Sequence, residues 1–130
     1  MTALGVLLLA LSAVVSANAE KSPYAMLVLS EADHDRTVDV RSGDTIQIIL
    51  PENATTGYRW AIERCDEDIV EALTSEARYA SNAVGSGGWI SFEFRGKKAG
   101  TGEIVLKHWR HWEGDASITK RFRVQLRVQS

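Results

Sequence analysis

An all-β fold, an immunoglobulin-like antiparallel β-sandwich of about seven strands, is predicted by three features of this 130-residue chain. Short segments alternate apolar and polar residues with period two, as in Trp89 to Arg95, where Ile90, Phe92 and Phe94 share a face. Turn signals recur between these segments at regular spacing, and no long amphipathic helical pattern interrupts them. Nothing repeats internally and no low-complexity linker divides the chain, so one domain is expected.

Residues 1 to 19 carry no charged side chain, pass through the apolar run Leu4 to Leu11 and end in Ala17, Asn18 and Ala19. That run is too short to span a membrane, and its small-x-small ending fits a signal peptide cleaved before Glu20. An exported protein is expected, periplasmic or secreted, with no membrane contact after cleavage and with residues 20 to 130 as its functional domain.

A first strand is expected over residues 24 to 30, with the acidic stretch 31 to 35 as a solvated turn. A short strand over 36 to 40 precedes the turn Ser42-Gly43-Asp44, and Thr45 to Leu50 is the next strand. It leads into a shaped loop: Pro51 has no N–H for a ladder, Gly57 permits a left-handed backbone, and the Asn and Thr side chains can bond their own main chain. Residues 58 to 64 then alternate, placing Tyr58, Trp60 and Ile62 on one buried face. Residues 69 to 79 read as a short strand plus irregular chain, with a helical turn at 69 to 73 as the other possibility. Residues 89 to 95, 103 to 109 and 118 to 128 complete the set, the basic glycine-rich stretch 96 to 102 being a turn.

Composition narrows the function. A net charge of −2, from 15 basic and 17 acidic residues, argues against a nucleic-acid partner. The cluster Lys120 to Arg127 alternates with Phe122, Val124, Leu126 and Val128, so its charges are the wet face of a half-buried strand. The one cysteine, Cys65, excludes an intramolecular disulfide. It lies among Glu63, Asp66, Glu67 and Asp68, a neighbourhood that raises a thiol's pKa where a nucleophile needs it lowered. His108 and His111 would face opposite ways in a strand, so no metal site is expected, and no cofactor. No Ser, His and Asp arrangement has a recognisable context, so the chain is not read as an enzyme.

Three short motifs carry the functional signal. Leu50 to Trp60 reads Leu-Pro-Glu-Asn-Ala-Thr-Thr-Gly-Tyr-Arg-Trp, Gly85-Ser86-Gly87-Gly88 follows, and Arg110-His111-Trp112 comes last. They resemble, in order, the L-P-x-N-P-T-T-G-[YF]-x-W, G-x-G-G and R-P-[WF] motifs of the chagasin family, inhibitors of papain-like cysteine proteases. The resemblance spans roughly residues 24 to 128. It implies an immunoglobulin-like fold and a monomeric, reversible, tight-binding inhibitor whose partner is a papain-like cysteine protease. Asn53, Ala54, Thr55, Thr56, Gly57 and Tyr58 would form the central loop, with Thr55 and Thr56 nearest the protease's catalytic Cys. Gly85, Ser86, Gly87 and Gly88 would flank it on one side, and Arg110, His111 and Trp112 on the other. Ala54 and His111 stand where the family has proline, so both loops lose a residue that fixes φ.

Parity supports the grouping from another direction. If each strand reverses the chain, the three motifs occupy every second connection and lie at one pole. Trp109 and Trp112 are three apart and would face opposite ways, so one of them should be exposed or at a loop tip; otherwise Trp112 folds back over the core as a lid. An exposed Trp beside an Arg suits an interface, since both types are enriched among interface hot spots. Asn53-Ala54-Thr55 also satisfies the N-glycosylation sequon, but a glycan there would block a loop meant to enter a cleft. The alternative function is an exported adhesion or carbohydrate-binding module, in which Trp89, Trp109 and Trp112 would form a flat aromatic platform.

Overall fold

The structure, a computed structural model, describes residues 24–79 and 87–130. The expected leader over residues 1 to 19 lies outside the described residues. Period-two alternation becomes strand wherever it is regular, giving β1 (Met26–Leu29), β2 (Thr37–Arg41), β3 (Thr45–Pro51), β4 (Arg59–Cys65), β5 (Val70–Tyr79), β6 (Gly88–Gly96), β7 (Gly100–Trp109) and β8 (Lys120–Gln129). Short 3₁₀ turns at Glu31–Asp33, Ala54–Thr56, His111–Glu113 and Asp115–Ser117 shape the connections.

Two four-stranded sheets result, ordered β1-β3-β6-β5 and β2-β8-β7-β4. Their inner faces meet over Ile46, Ile48 and Leu50 of β3, Phe92 and Phe94 of β6, Ile104 and Leu106 of β7, and Phe122, Val124 and Leu126 of β8. Each such side chain contributes about 1.5–3 kcal/mol by leaving water, which lets the domain stand without a disulfide.

The architecture is the expected all-β sandwich, with three differences of detail. There are eight strands among the described residues against a count of about seven, β1 and β2 falling on the two segments expected before β3. Two of the six pairings are parallel, β1 with β3 and β2 with β8. Leaving β1, the chain crosses to the other sheet and returns, and two reversals bring it back alongside in the same direction. Residues 69 to 79 are no irregular stretch: β5 is a ten-residue edge strand bulged at Leu73. Only its first residue, Val70, is buried, so one-sided alternation never develops.

β4 shows the same edge effect. Trp60 is buried as expected, but Ile62 is 39% exposed. The register with β7 slips between Ile62 and Arg64, which breaks the inward-facing row. Cys65 closes this strand at the end away from the motif loops. Its thiol is pushed up first by burial and then by Glu67 and Asp66, the opposite of what a nucleophile needs.

Chain direction alternates from strand to strand, so the β3–β4, β5–β6 and β7–β8 connections leave from one pole. The opposite pole is closed by Asp44, whose buried carboxylate accepts the N–H groups of Ala25 and Arg41 at 2.9 Å each. Those bonds hold it below the usual carboxylate range.

Candidate functional site

The β3–β4 loop is held by its own short polar side chains. Asn53 Oδ1 accepts the Thr55 N–H at 3.1 Å and the Thr55 hydroxyl at 2.7 Å, an Asx turn that opens the 3₁₀ turn Ala54–Thr56. The Thr56 hydroxyl donates to the Asn53 carbonyl at 2.9 Å. Gly57 then reverses the chain at φ +81°, a conformation that favours glycine. A Cβ on Gly57 would also stand 2.8 Å from Cη2 of Trp112, so the first and third loops touch at this point. Thr55 and Thr56 are left exposed at the rim.

The β7–β8 loop reaches the same rim. Arg110 donates from Nε and Nη2 to the Thr56 carbonyl at 3.2 and 3.0 Å, a two-pronged grip across the two loops. Its guanidinium lies 4.4 Å from the Tyr58 ring centroid, Tyr58 stacks on His108 at 5.2 Å, and His108 tilts against Trp60 at 5.1 Å. This column runs from the exposed rim to the buried Trp60, whose indole N–H donates to the Pro51 carbonyl at 3.0 Å. The His108 imidazole is held below its usual range by burial and then by the Lys120 ammonium. Beyond Arg110, the Ser117 hydroxyl accepts the Arg110 N–H at 3.0 Å and donates to the Gly114 carbonyl at 2.7 Å, closing the loop on itself. His111 is exposed and meets Trp112 edge-on at 5.2 Å. Trp112 is 62% exposed, at the tip and not folded back as a lid.

Of the second motif, Gly87 and Gly88 are described; Gly85 and Ser86 lie outside the described residues. Gly87 is exposed. Gly88 starts β6, where a Cβ would be 2.3 Å from the Tyr79 ring and 2.5 Å from the Arg78 carbonyl, so only glycine fits. Thr56, Gly87 and Arg110, one residue from each loop, border a single recess of about 500 Å³. The three tryptophans of the platform reading share no surface. Trp89 is exposed on the outer face of β6, Trp109 ends β7 in the other sheet beneath the Lys107 ammonium, 3.5 Å from its ring centroid, and Trp112 tips the third loop.

The sequence model of the Chagasin family peptidase inhibitor I42 matches residues 39–126. This chain belongs to the chagasin family. It is 34% identical over 105 residues to chagasin of Trypanosoma cruzi, covering 77% of this chain and 96% of that protein. To amoebiasin-1 of Entamoeba histolytica it is 31% identical over 103 residues, covering 78% and 98%. Among solved structures, the crystal structure of the cysteine protease inhibitor EhICP2 from Entamoeba histolytica superposes with a TM-score of 0.73 at 23% identity, covering 84% of this chain and all of that one. That likeness supports the fold.

Within the chagasin framework, the residues that the sequence reading passed over are Glu52 and Tyr79. Glu52 is buried, its carboxylate accepting the Trp60 N–H at 2.8 Å and the Tyr79 hydroxyl at 2.5 Å. Burial and then the bond to Glu52 raise the Tyr79 phenol above its usual range. In sequence, Glu52 fills the variable position of the first motif and looks like a solvated loop residue. Its partners lie 8 and 27 residues away, beyond any local pattern.

Proposed function

We propose that this chagasin-family protein is a reversible, tight-binding inhibitor of papain-like cysteine proteases that acts by occlusion. The central wedge is Asn53 to Tyr58, with Thr55 and Thr56 nearest the protease's catalytic Cys; Gly85 to Gly88 and Arg110 to Trp112 flank it. The observation that carries this reading is the single recess bordered by all three motif loops, with Arg110 gripping the Thr56 carbonyl across it. A wedge held in this way fills a cleft at low entropic cost, because its first and third loops are tied to each other before binding. Its cysteine is not placed for chemistry there: Cys65 ends β4 away from these loops, and its thiol is raised, not lowered.

The domain beginning at Glu20 is proposed to act as a monomer in the periplasm or outside the cell, after cleavage following Ala19. Mass spectrometry of the exported protein is expected to show a mature form starting at Glu20; retention of the Leu4 to Leu11 run would contradict it. Titration of papain with the domain tests the function. A linear, stoichiometric loss of activity that recovers on dilution is expected, and full activity in excess inhibitor would refute the reading.

A further inference from the structure

We propose that the buried Glu52 and the partly exposed Tyr79 form a lock that ties both stems of the second loop to the first loop, and that this lock sets protease affinity by positioning those stems. Glu52 stands between the end of β3 and the first loop, its side chain fully shielded from solvent. A carboxylate tolerates such a site only if its oxygens are hydrogen-bonded, and both are. Oε2 accepts the Trp60 N–H at 2.8 Å and Oε1 the Tyr79 hydroxyl at 2.5 Å, while the N–H of Glu52 itself donates to the Gly88 carbonyl at 3.0 Å. Tyr79 ends β5 and Gly88 begins β6, so both stems of the second loop are tied to Glu52. Trp60 lies on the far stem of the first loop, and it is tied to the same carboxylate.

Stability alone gives no reason for a carboxylate here. Desolvation offsets much of what a buried ionised group gains from its bonds. The nearest cation, Arg59, is half exposed and 3.9 Å from Oε1, and it donates to the Tyr79 hydroxyl oxygen at 3.0 Å. What the carboxylate supplies and an apolar side chain would not is direction, since two acceptor oxygens hold donors from two strands at a set separation. Gly88 completes the fit, because the absence of a Cβ lets β6 pass against the Tyr79 ring.

The effect on affinity rests on the inhibitor reading, whereas the lock itself does not, and two readouts separate them. Tyr79→Phe removes one hydroxyl and keeps the ring; Glu52→Gln keeps the shape and leaves one acceptor oxygen in place of two. In the free protein, amide hydrogen exchange at Trp60 and Gly88 should quicken about tenfold in Tyr79→Phe, while Ser42 and Gly43 at the opposite pole keep wild-type rates. Against papain, Tyr79→Phe should weaken inhibition about tenfold. That loss should be non-additive with Gly87→Ala, whose new Cβ meets nothing within 4 Å in the free protein, and additive with Trp112→Ala in the third loop. Unchanged exchange at Trp60 and Gly88 in both variants overturns the lock. Faster exchange with wild-type inhibition overturns its role in affinity. A wild-type domain that leaves papain active refutes the inhibitor reading, and the exchange rates still decide the lock.

Discussion

Trp60 and Trp112 are chemically alike and are sorted by what their rings touch. Trp60 is 5% exposed, under His108 and bonded to Pro51, so Trp60→Ala should cost about 3–5 kcal/mol and lower the melting temperature sharply. Trp112 is 62% exposed, against Gly57 and His111 at the rim, so Trp112→Ala should leave the melting temperature near wild type. Its cost falls on binding, about 2 kcal/mol or roughly thirtyfold in dissociation constant, read by titration against papain. His108 adds a pH dependence. Its folded pKa lies below the unfolded 6.5, so the contribution of the neutral ring is complete above that value and is lost as pH falls through the folded one. A protonated ring would face Lys120 and stand one layer beneath Arg110 across Tyr58, with Glu52 as the opposing charge. Melting temperature should therefore fall between about pH 7 and pH 5, and His108→Gln should flatten that part of the curve. Asp44, also lowered, gives up its contribution separately, below about pH 4.

At the scale of elements, the regular strands were legible and the edges were not. β6 and β8 are central strands, and their inward residues Ile90, Phe92 and Phe94, and Phe122, Val124, Leu126 and Val128, are all buried, so the alternation reports the fold directly. β5 and the end of β4 border only one neighbour each, and bulges at Leu73 and near Glu63 reset their faces. The shared pole was legible because counting reversals needs no knowledge of which strands pair. The first loop adds a prediction. Ala54 is the first residue of the 3₁₀ turn Ala54–Thr56, a position whose N–H has no acceptor within the turn and which suits proline. Ala54→Pro should raise stability by about 0.4–1 kcal/mol and tighten inhibition, measured by thermal melts beside the inhibition constant. Weaker inhibition with an intact fold would mean that the loop binds in another shape.

For the whole molecule, a sandwich built on packing alone carries three loops on one pole, joined by Arg110 to Thr56 and by Glu52 to Trp60, Tyr79 and Gly88. The scaffold brings the first and third loops together at that pole, and the proposed action is that they fill a cleft. Occlusion is therefore the central claim, and protection of the protease's own nucleophile tests it most directly. Papain would be mixed with one equivalent of the domain, and alkylation of its catalytic Cys by a small thiol reagent followed by mass spectrometry. The thiol should be protected in proportion to the inhibitor added, and reactivity should return when the complex dissociates. Alkylation at the free-enzyme rate under saturating inhibitor would contradict the account.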